Sequence, residues 1–392
     1  MALHCMTTHF DTPINRQGTW AEKYDARQSL FGRDDVQPLW VADMDFATPS
    51  FVLDAISARL SHPIMGYTQA PDSVAQCVCD WQLRQHDWQT KTADLVWLGG
   101  VVSGLYLSVQ AFSQEQDAVM VFTPVYPPFM KAITDNNRNL ITVPLLNEGN
   151  RYQLDFAAIE SAMREHRVKL LLFANPHNPA GRVWSKDELI QLASLCLHYG
   201  VKVVSDEVWS DIILNPVLRH IPFASLSCEM SNQTITLNAP SKTFNLAALH
   251  TAYALIPNPE LRRAFQRQHS KTRASDASLF GLHALQAAYS DEGHHWLGEL
   301  LTYLRGNLAL VESALTHHGI GPMIPDATYL VWLDFSGRFN EQSELVHWCV
   351  ETCGLGLSSG THFGEAGKGF MRLNMAVPRS ELATALSALR KV

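Results

Sequence analysis

Between residues 95 and 255, short apolar runs alternate with amphipathic stretches, and this rhythm restricts the possible folds of the chain more than any other feature. Ala118–Phe122, Leu170–Ala174, Val201–Val204 and Thr234–Leu237 each read as a buried strand. Strands buried on both faces need helices on both sides, which predicts a mainly parallel sheet. Between two of them Ser185-Lys-Asp-Glu188 precedes Leu189, Leu192, Leu195 and Cys196, and Gly200 follows. A capping box, an apolar stripe and a terminating glycine predict a helix. Leu95 to Ser113 carries no charge and is long enough to span a bilayer. Its glycines (Gly99, Gly100, Gly104), its serines and its lack of basic flanks instead predict a strand, a glycine turn and a buried helix.

A chain of 392 residues suggests two or three domains. From Asn258 onward helical spacing dominates, with a long helix expected over Leu297–Leu315 and a hairpin near Tyr329–Phe335. The expected division is an N-terminal segment, 1–46, joining a smaller domain, a large domain over 47–286, and a C-terminal small domain over 287–392. Closely packed domains are expected, because no Gly/Ser-rich linker separates the halves. A net charge of −8 without a long Lys/Arg block argues against nucleic acid. Seven cysteines in no compact framework suggest reduced thiols and a cytoplasmic protein. The first ten residues resemble no export signal. Cys349 and Cys353 lack the companion ligands a zinc site requires and read as buried thiols, so no metal is expected.

In open sheets of this kind ligands gather beyond the carboxyl ends of the strands. Four features stand there: Pro124-Val-Tyr126-Pro127, Asn175-Pro-His-Asn178-Pro179-Ala-Gly181, Asp206-Glu207-Val-Trp209, and Ser241-Lys242 within Asn238–Asn245. A lysine among Ser, Thr and Asn, desolvated enough to lower its pKa, can form an imine with an aldehyde. An acid after another strand can hold a proton on a pyridine nitrogen and make the ring an electron sink. The Asn178 amide can donate to a phenolate oxygen, and the Tyr126 ring can stack on the pyridine. Gly99-Gly100-Val101-Val102-Ser103-Gly104 turns from strand into helix and offers backbone N–H groups to a phosphate. Each feature alone has a plainer reading: a surface lysine, a helix cap, a turn. Their convergence favours the chemical one. Of the tryptophans, only Trp40 is singled out for the cleft, and His177 and His250 read as packed or solvated.

These motifs resemble the fold-type I pyridoxal-phosphate (PLP) enzymes of the class I/II aminotransferase superfamily, and within them the cystathionine β-lyase group of the MalY/PatB type. The resemblance covers nearly the whole chain. It rests on Phe10-Asp11 with Asn15-Arg16-Gln-Gly18-Thr19 and Lys23, Leu39-Trp40-Val-Ala-Asp43-Met44-Asp45-Phe46, Gly66-Tyr67, Asn175–Gly181, Ser241-Lys242-Thr243-Phe244-Asn245-Leu246, and Met371-Arg372-Leu373-Asn374. It implies an aspartate aminotransferase-like α/β fold with a mainly parallel seven-stranded sheet and a smaller α+β domain. It further implies that Lys242 forms the Schiff base and shuttles the proton, that Asp206 partners the pyridinium, that Asn178 donates to the phenolate and that Tyr126 stacks. Arg372, with Trp40 and Ala42, is implied for substrate binding, and Tyr67 for the phosphate of a partner subunit in a homodimer with shared sites.

Three positions depart from the broad superfamily. Trp209 replaces a Tyr or His, His250 a phosphate-binding arginine, and Ala239 a phosphate-binding serine. Ser241 and the Val101 and Val102 amides are therefore the candidates for the phosphate. The implied activity is α,β-elimination from cystathionine or a cysteine S-conjugate, giving pyruvate, ammonia and a thiol. An aminotransferase would use the same lysine, acid and arginine, and a regulatory binding protein built on a lyase is a third reading.

Overall fold

The computed structural model describes residues 10–149, 151–315 and 320–390; Cys5 and the rest of the first nine residues lie outside them. Seven strands form the large sheet: Leu95–Leu98 (β1), Ala118–Thr123 (β2), Asn139–Pro144 (β3), Leu170–Ala174 (β4), Lys202–Asp206 (β5), Thr234–Asn238 (β6) and Ala252–Leu255 (β7). Their spatial order is β1-β7-β6-β5-β4-β2-β3. β7 runs antiparallel to both neighbours, while the pairs among β2 to β6 are parallel. Every residue of β2, β4, β6 and β7 is buried, as strands covered on both faces require. β3 sits at the edge, has only Val143 fully buried and ends in Pro144, which suits a position with nothing further to pair.

Helices cover the sheet. Asp72–His86 (α1) and Val101–Phe112 (α2) belong to the N-terminal half. Lys186–Tyr199 (α3) opens on the expected capping box, with Ser185 accepting from the Glu188 N–H and Glu188 reaching back to Ser185, and closes on Gly200 in the left-handed conformation. Asp291–Leu315 (α4) starts six residues before the apolar spacing predicts, because Asp291 and Glu292 suit a first turn that periodicity alone does not register. Beyond it Gly321–Met323 (β8), Leu330–Asp334 (β9), Ser358–Ser359 (β10) and Phe370–Asn374 (β11) make an antiparallel sheet in the order β8-β9-β11-β10. Cys349 and Cys353 are buried and unbridged.

The N-terminal segment is tied into the C-terminal half and across the sheet ends. Gln37–Pro38 pairs in parallel with Leu355–Gly356. The Asn374 amide donates to the carbonyls of Val41 and Asp43, and the Asn245 amide to those of Met44 and Phe46. Arg16 and Lys23 hold Asp43 and Asp45: Arg16 lies 2.5 Å from each carboxylate, and Lys23, fully buried, lies 2.7 Å from Asp45. The Arg16, Lys23, Asp43 and Asp45 of the N-terminal motifs thus staple the strap that carries Trp40 and Ala42.

The turn after β4 is equally constrained. Gly181 has φ of +65°, donates its N–H to the His177 carbonyl and accepts from the Ala327 N–H. A Cβ there would stand 2.3 Å from the Pro325 Cβ and 2.6 Å from the Ala327 oxygen. Gly181→Ala is therefore expected to destabilise the fold by about 3 kcal/mol, a left-handed backbone penalty plus overpacking. Denaturant unfolding would show it, and a loss under about 1 kcal/mol would mean that the 325–327 loop yields freely.

Candidate active site

The carboxyl ends of β2, β4, β5 and β6 open on one cavity of about 650 Å³. Val101, Val102, Tyr126, Asn178, Asp206, Trp209, Ser241, Lys242, Trp40, Ala42 and Arg372 all line it. Tyr67 does not. It lies in the coil between Ser50–Leu60 and α1, and its side chain is fully exposed.

β6 ends at Asn238, and the chain turns through Ala239 to bring Lys242 to the cavity. Its Nζ donates to the Ala42 carbonyl at 2.8 Å and sits 5.6 Å above the Trp209 ring. Burial brings the ammonium down to about 8, with the nearby Arg372 charge adding to the effect and Asp43 and Asp206 opposing it. An amine that readily loses its proton near neutrality is a nucleophile and a base.

Asp206 closes β5, only 7% exposed, and accepts from the Val208 N–H at 3.2 Å. Desolvation pushes its carboxyl up to about 7; the Val208 N–H and Lys242 oppose that, and Glu207 adds to it. A cationic nitrogen placed against it would restore the ionised form, since opposite charges favour ionisation.

Arg372 comes from β11, on the antiparallel sheet. Its two terminal nitrogens donate to the Asn178 Oδ1 at 3.1 Å and to the Trp40 carbonyl at 2.8 Å, and its Cζ lies 4.8 Å from the Phe363 ring centroid. Burial pulls the guanidinium down to about 10, so it remains cationic at neutral pH. Its Nε is buried with no partner among the described residues. A buried unsatisfied donor on a guanidinium in the cavity wall suits an incoming carboxylate. Because the Asn178 oxygen is engaged by Arg372, its Nδ2 is left to donate.

The turn from β1 into α2 passes Gly99 and Gly100, and the first helical amides, Val101 and Val102, have no intrahelical partner by their position. Gly104 lets α2 settle closely on the sheet, since a Cβ there would stand 2.8 Å from the Leu237 side chain. That packing sets the helix N-terminus at the cavity, where backbone donors and the helix dipole suit an anion. Ser241, Thr251 and His250 line the same cavity. Trp209 packs edge-on to Tyr329, whose hydroxyl donates to the Ala42 carbonyl already engaged by Lys242.

Several lining residues escape a sequence reading. Glu22 lies one position before Lys23 and has no motif role of its own. Ser358, which donates to the Trp40 carbonyl, sits on a two-residue strand that leaves no periodic signal. His362 and Phe363 follow it in a short turn of helix.

An acid, a desolvated lysine, a buried arginine and a helix N-terminus around one cavity, at the carboxyl edge of a mainly parallel seven-stranded sheet, define a fold-type I PLP-dependent transferase-like protein. The chain belongs to the aminotransferase class I and II family, whose pattern matches residues 35–389. It is similar to the cystathionine β-lyase PatB of Bacillus subtilis (strain 168), with 39% identity over 98% of both chains. Among solved structures it is similar to cystalysin of Treponema denticola, which contains a pyridoxal 5′-phosphate cofactor, at TM-score 0.95, 31% identity and 98% of both chains. It is also similar to a PLP-bound putative aminotransferase from Clostridium difficile 630, at TM-score 0.95, 35% identity, and 98% and 99% of the two chains.

Proposed function

We propose that this protein is a PLP-dependent C–S β-lyase that takes cystathionine, or a cysteine S-conjugate, and water to pyruvate, ammonia and a thiol. The observation that carries the reading is the joint placement of Lys242, Asp206 and Arg372 around one cavity, in a chain similar throughout to a cystathionine β-lyase. The residues fit the cofactor: Lys242 would hold its aldehyde carbon, Asp206 its ring nitrogen, the Asn178 amide its phenolate oxygen and Tyr126 its face. Ser241 and the Val101 and Val102 amides would take its phosphate, with Trp209 flanking the lysine. When bound, PLP supplies the sink for electron density left at Cα.

This chain's residues do the rest. Arg372 binds the α-carboxylate, with Trp40 and Ala42 forming the wall beside it. Lys242 Nζ, as a free amine, would take the Cα proton and hold it. The Ala42 carbonyl and the Trp209 face restrict where that nitrogen can go, so proton removal is directed to one side of the substrate. The Cβ–S bond breaks, the leaving thiolate takes up the proton that Lys242 held, and water hydrolyses the released 2-aminoacrylate to pyruvate and ammonia.

The wider organisation belongs to the same reading: a large domain over 47–286, a small domain built from 1–46 and 287–392, and a cytoplasmic homodimer in which the exposed Tyr67 reaches the partner's phosphate. Among the described residues no helix is long and apolar enough to cross a membrane.

Purified protein loaded with PLP and given cystathionine, without a keto acid, is expected to release pyruvate, ammonia and homocysteine in equal amounts. Turnover that requires a keto acid would make it an aminotransferase instead. The Lys242 amine gives a pH prediction. With its ammonium held down to about 8, the reactive neutral amine grows as pH rises and saturates above that value. The rate of PLP capture by apoprotein is expected to climb with pH and level off above about 8; a rise continuing to the ordinary lysine range would mean that the amine is not desolvated.

A further inference from the structure

Behind the cavity floor lies a buried polar cluster that the proposed reaction leaves unused. Asp211 follows the β5 turn, five residues after Asp206, and is 8% exposed. Its Oδ2 accepts from the Thr243 Oγ1 at 2.9 Å, and the Trp81 indole N–H of α1 donates to the carboxylate at 3.2 Å. His86, also on α1, brings its Nε2 to 3.1 Å from Oδ1, but out of line for a hydrogen bond. The His86 ring packs edge-on against His220, 5.0 Å between centroids, and the His220 Nε2 lies 2.9 Å from the fully buried Glu207. Tyr253 and Tyr289 complete the surroundings, both feeling the Asp211 charge.

We infer that Asp211 is a positioning residue for Lys242, acting through Thr243. Thr243 is the neighbour of Lys242, and its side chain is turned into the core while that of Lys242 faces the cavity. The Asp211 carboxylate therefore joins the turn that carries Asp206 and Trp209 to the turn that carries the lysine. It also fastens both to α1 through Trp81. Thr243 is 1% exposed, so water cannot replace the acceptor if the carboxylate is lost. A lysine that must stay within reach of both an aldehyde carbon and the substrate Cα depends on that fixed backbone. The inference rests on the PLP reading of the site and adds a residue outside the cavity lining.

The test uses the PLP-loaded protein and three variants, Asp211→Asn, Thr243→Val and Thr243→Ser, each measured for thermal midpoint, kcat, KM and pH titration of the cofactor's visible absorption. Thr243→Ser keeps the donor and is expected to match the parent in all four. Thr243→Val, which removes the donor, is expected to lower kcat about tenfold or more, with KM changed much less, and to displace the absorption titration; Asp211→Asn, which loses the charge but keeps one acceptor oxygen, is expected to shift both in the same direction by less. Thr243→Val still carries the test if Asp211→Asn fails to fold. A Thr243→Val protein that loses only thermal stability, or a Thr243→Ser protein as impaired as Thr243→Val, would overturn the inference. A parent protein that takes up no PLP would overturn the cofactor reading and this inference together, whereas a parent that titrates normally beside an unchanged Thr243→Val overturns the inference alone.

Discussion

Lys242→Ala is expected to lower turnover by about 10³-fold or more, the upper part of the range for loss of a positioned proton-transfer group. Lys242 has two roles in the proposed reaction, holding the cofactor and moving the Cα proton, and Trp209, Tyr329 and Arg372 beside it can take neither. Trp209 has no basic nitrogen, Tyr329 is pushed far above its ordinary range by burial, and Arg372 stays protonated. The check has two arms: turnover with cystathionine, and borohydride reduction followed by peptide mass analysis. The parent should carry the cofactor's mass on the peptide containing Lys242, and the variant should carry none. A Lys242→Ala protein within tenfold of the parent would remove this residue from the chemistry.

Arg372→Lys is expected to be nearly as damaging as Arg372→Ala, which sets this position apart from a generic cation. The guanidinium is buried, retains an unpartnered Nε, and spends its two terminal nitrogens on Asn178 and Trp40. Lysine keeps the charge but loses the planar fork, so both the substrate carboxylate and the Trp40 carbonyl would compete for one ammonium. Losing two charge-assisted hydrogen bonds costs about 3–6 kcal/mol, which corresponds to a fall of about 10²- to 10⁴-fold in kcat/KM. Initial rates over a range of cystathionine concentrations measure it. A fall of less than about threefold for Arg372→Lys would show that the carboxylate is bound elsewhere.

The parallel sheet was legible in the sequence because its strands are buried on both faces, and such strands announce themselves as short, nearly continuous apolar runs. The helix Lys186–Tyr199 was legible because its cap, stripe and terminating glycine all lie within one local segment. Edge strand β3 gave no comparable signal, since only Val143 of its residues is fully buried. The residues at the strand ends were recoverable for the same reason as the strands themselves. Arg372 is different. It reaches the cavity from an antiparallel strand nearly 200 residues from Asn178, and only the family resemblance pointed to it. Ser358, Glu22 and His362 had neither periodicity nor a motif role to mark them. The Arg16, Lys23, Asp43 and Asp45 motifs were visible as residue types, but their meaning, an ion-paired clamp on one wall of the site, depends on a chain reversal that spacing does not encode.

The Ala42 carbonyl receives both the Lys242 ammonium and the Tyr329 hydroxyl. A backbone oxygen has no side chain to exchange, so the resting place of the lysine is written in the path of the strap and not in the identity of residue 42. A side-chain change at position 42 that leaves the strap in place therefore keeps the lysine's contact intact, whatever it does to the substrate wall. The contact depends on a shape, held at a distance by Asn374 and by the clamp on Asp43 and Asp45, so a substitution at those remote positions would move the lysine without touching it.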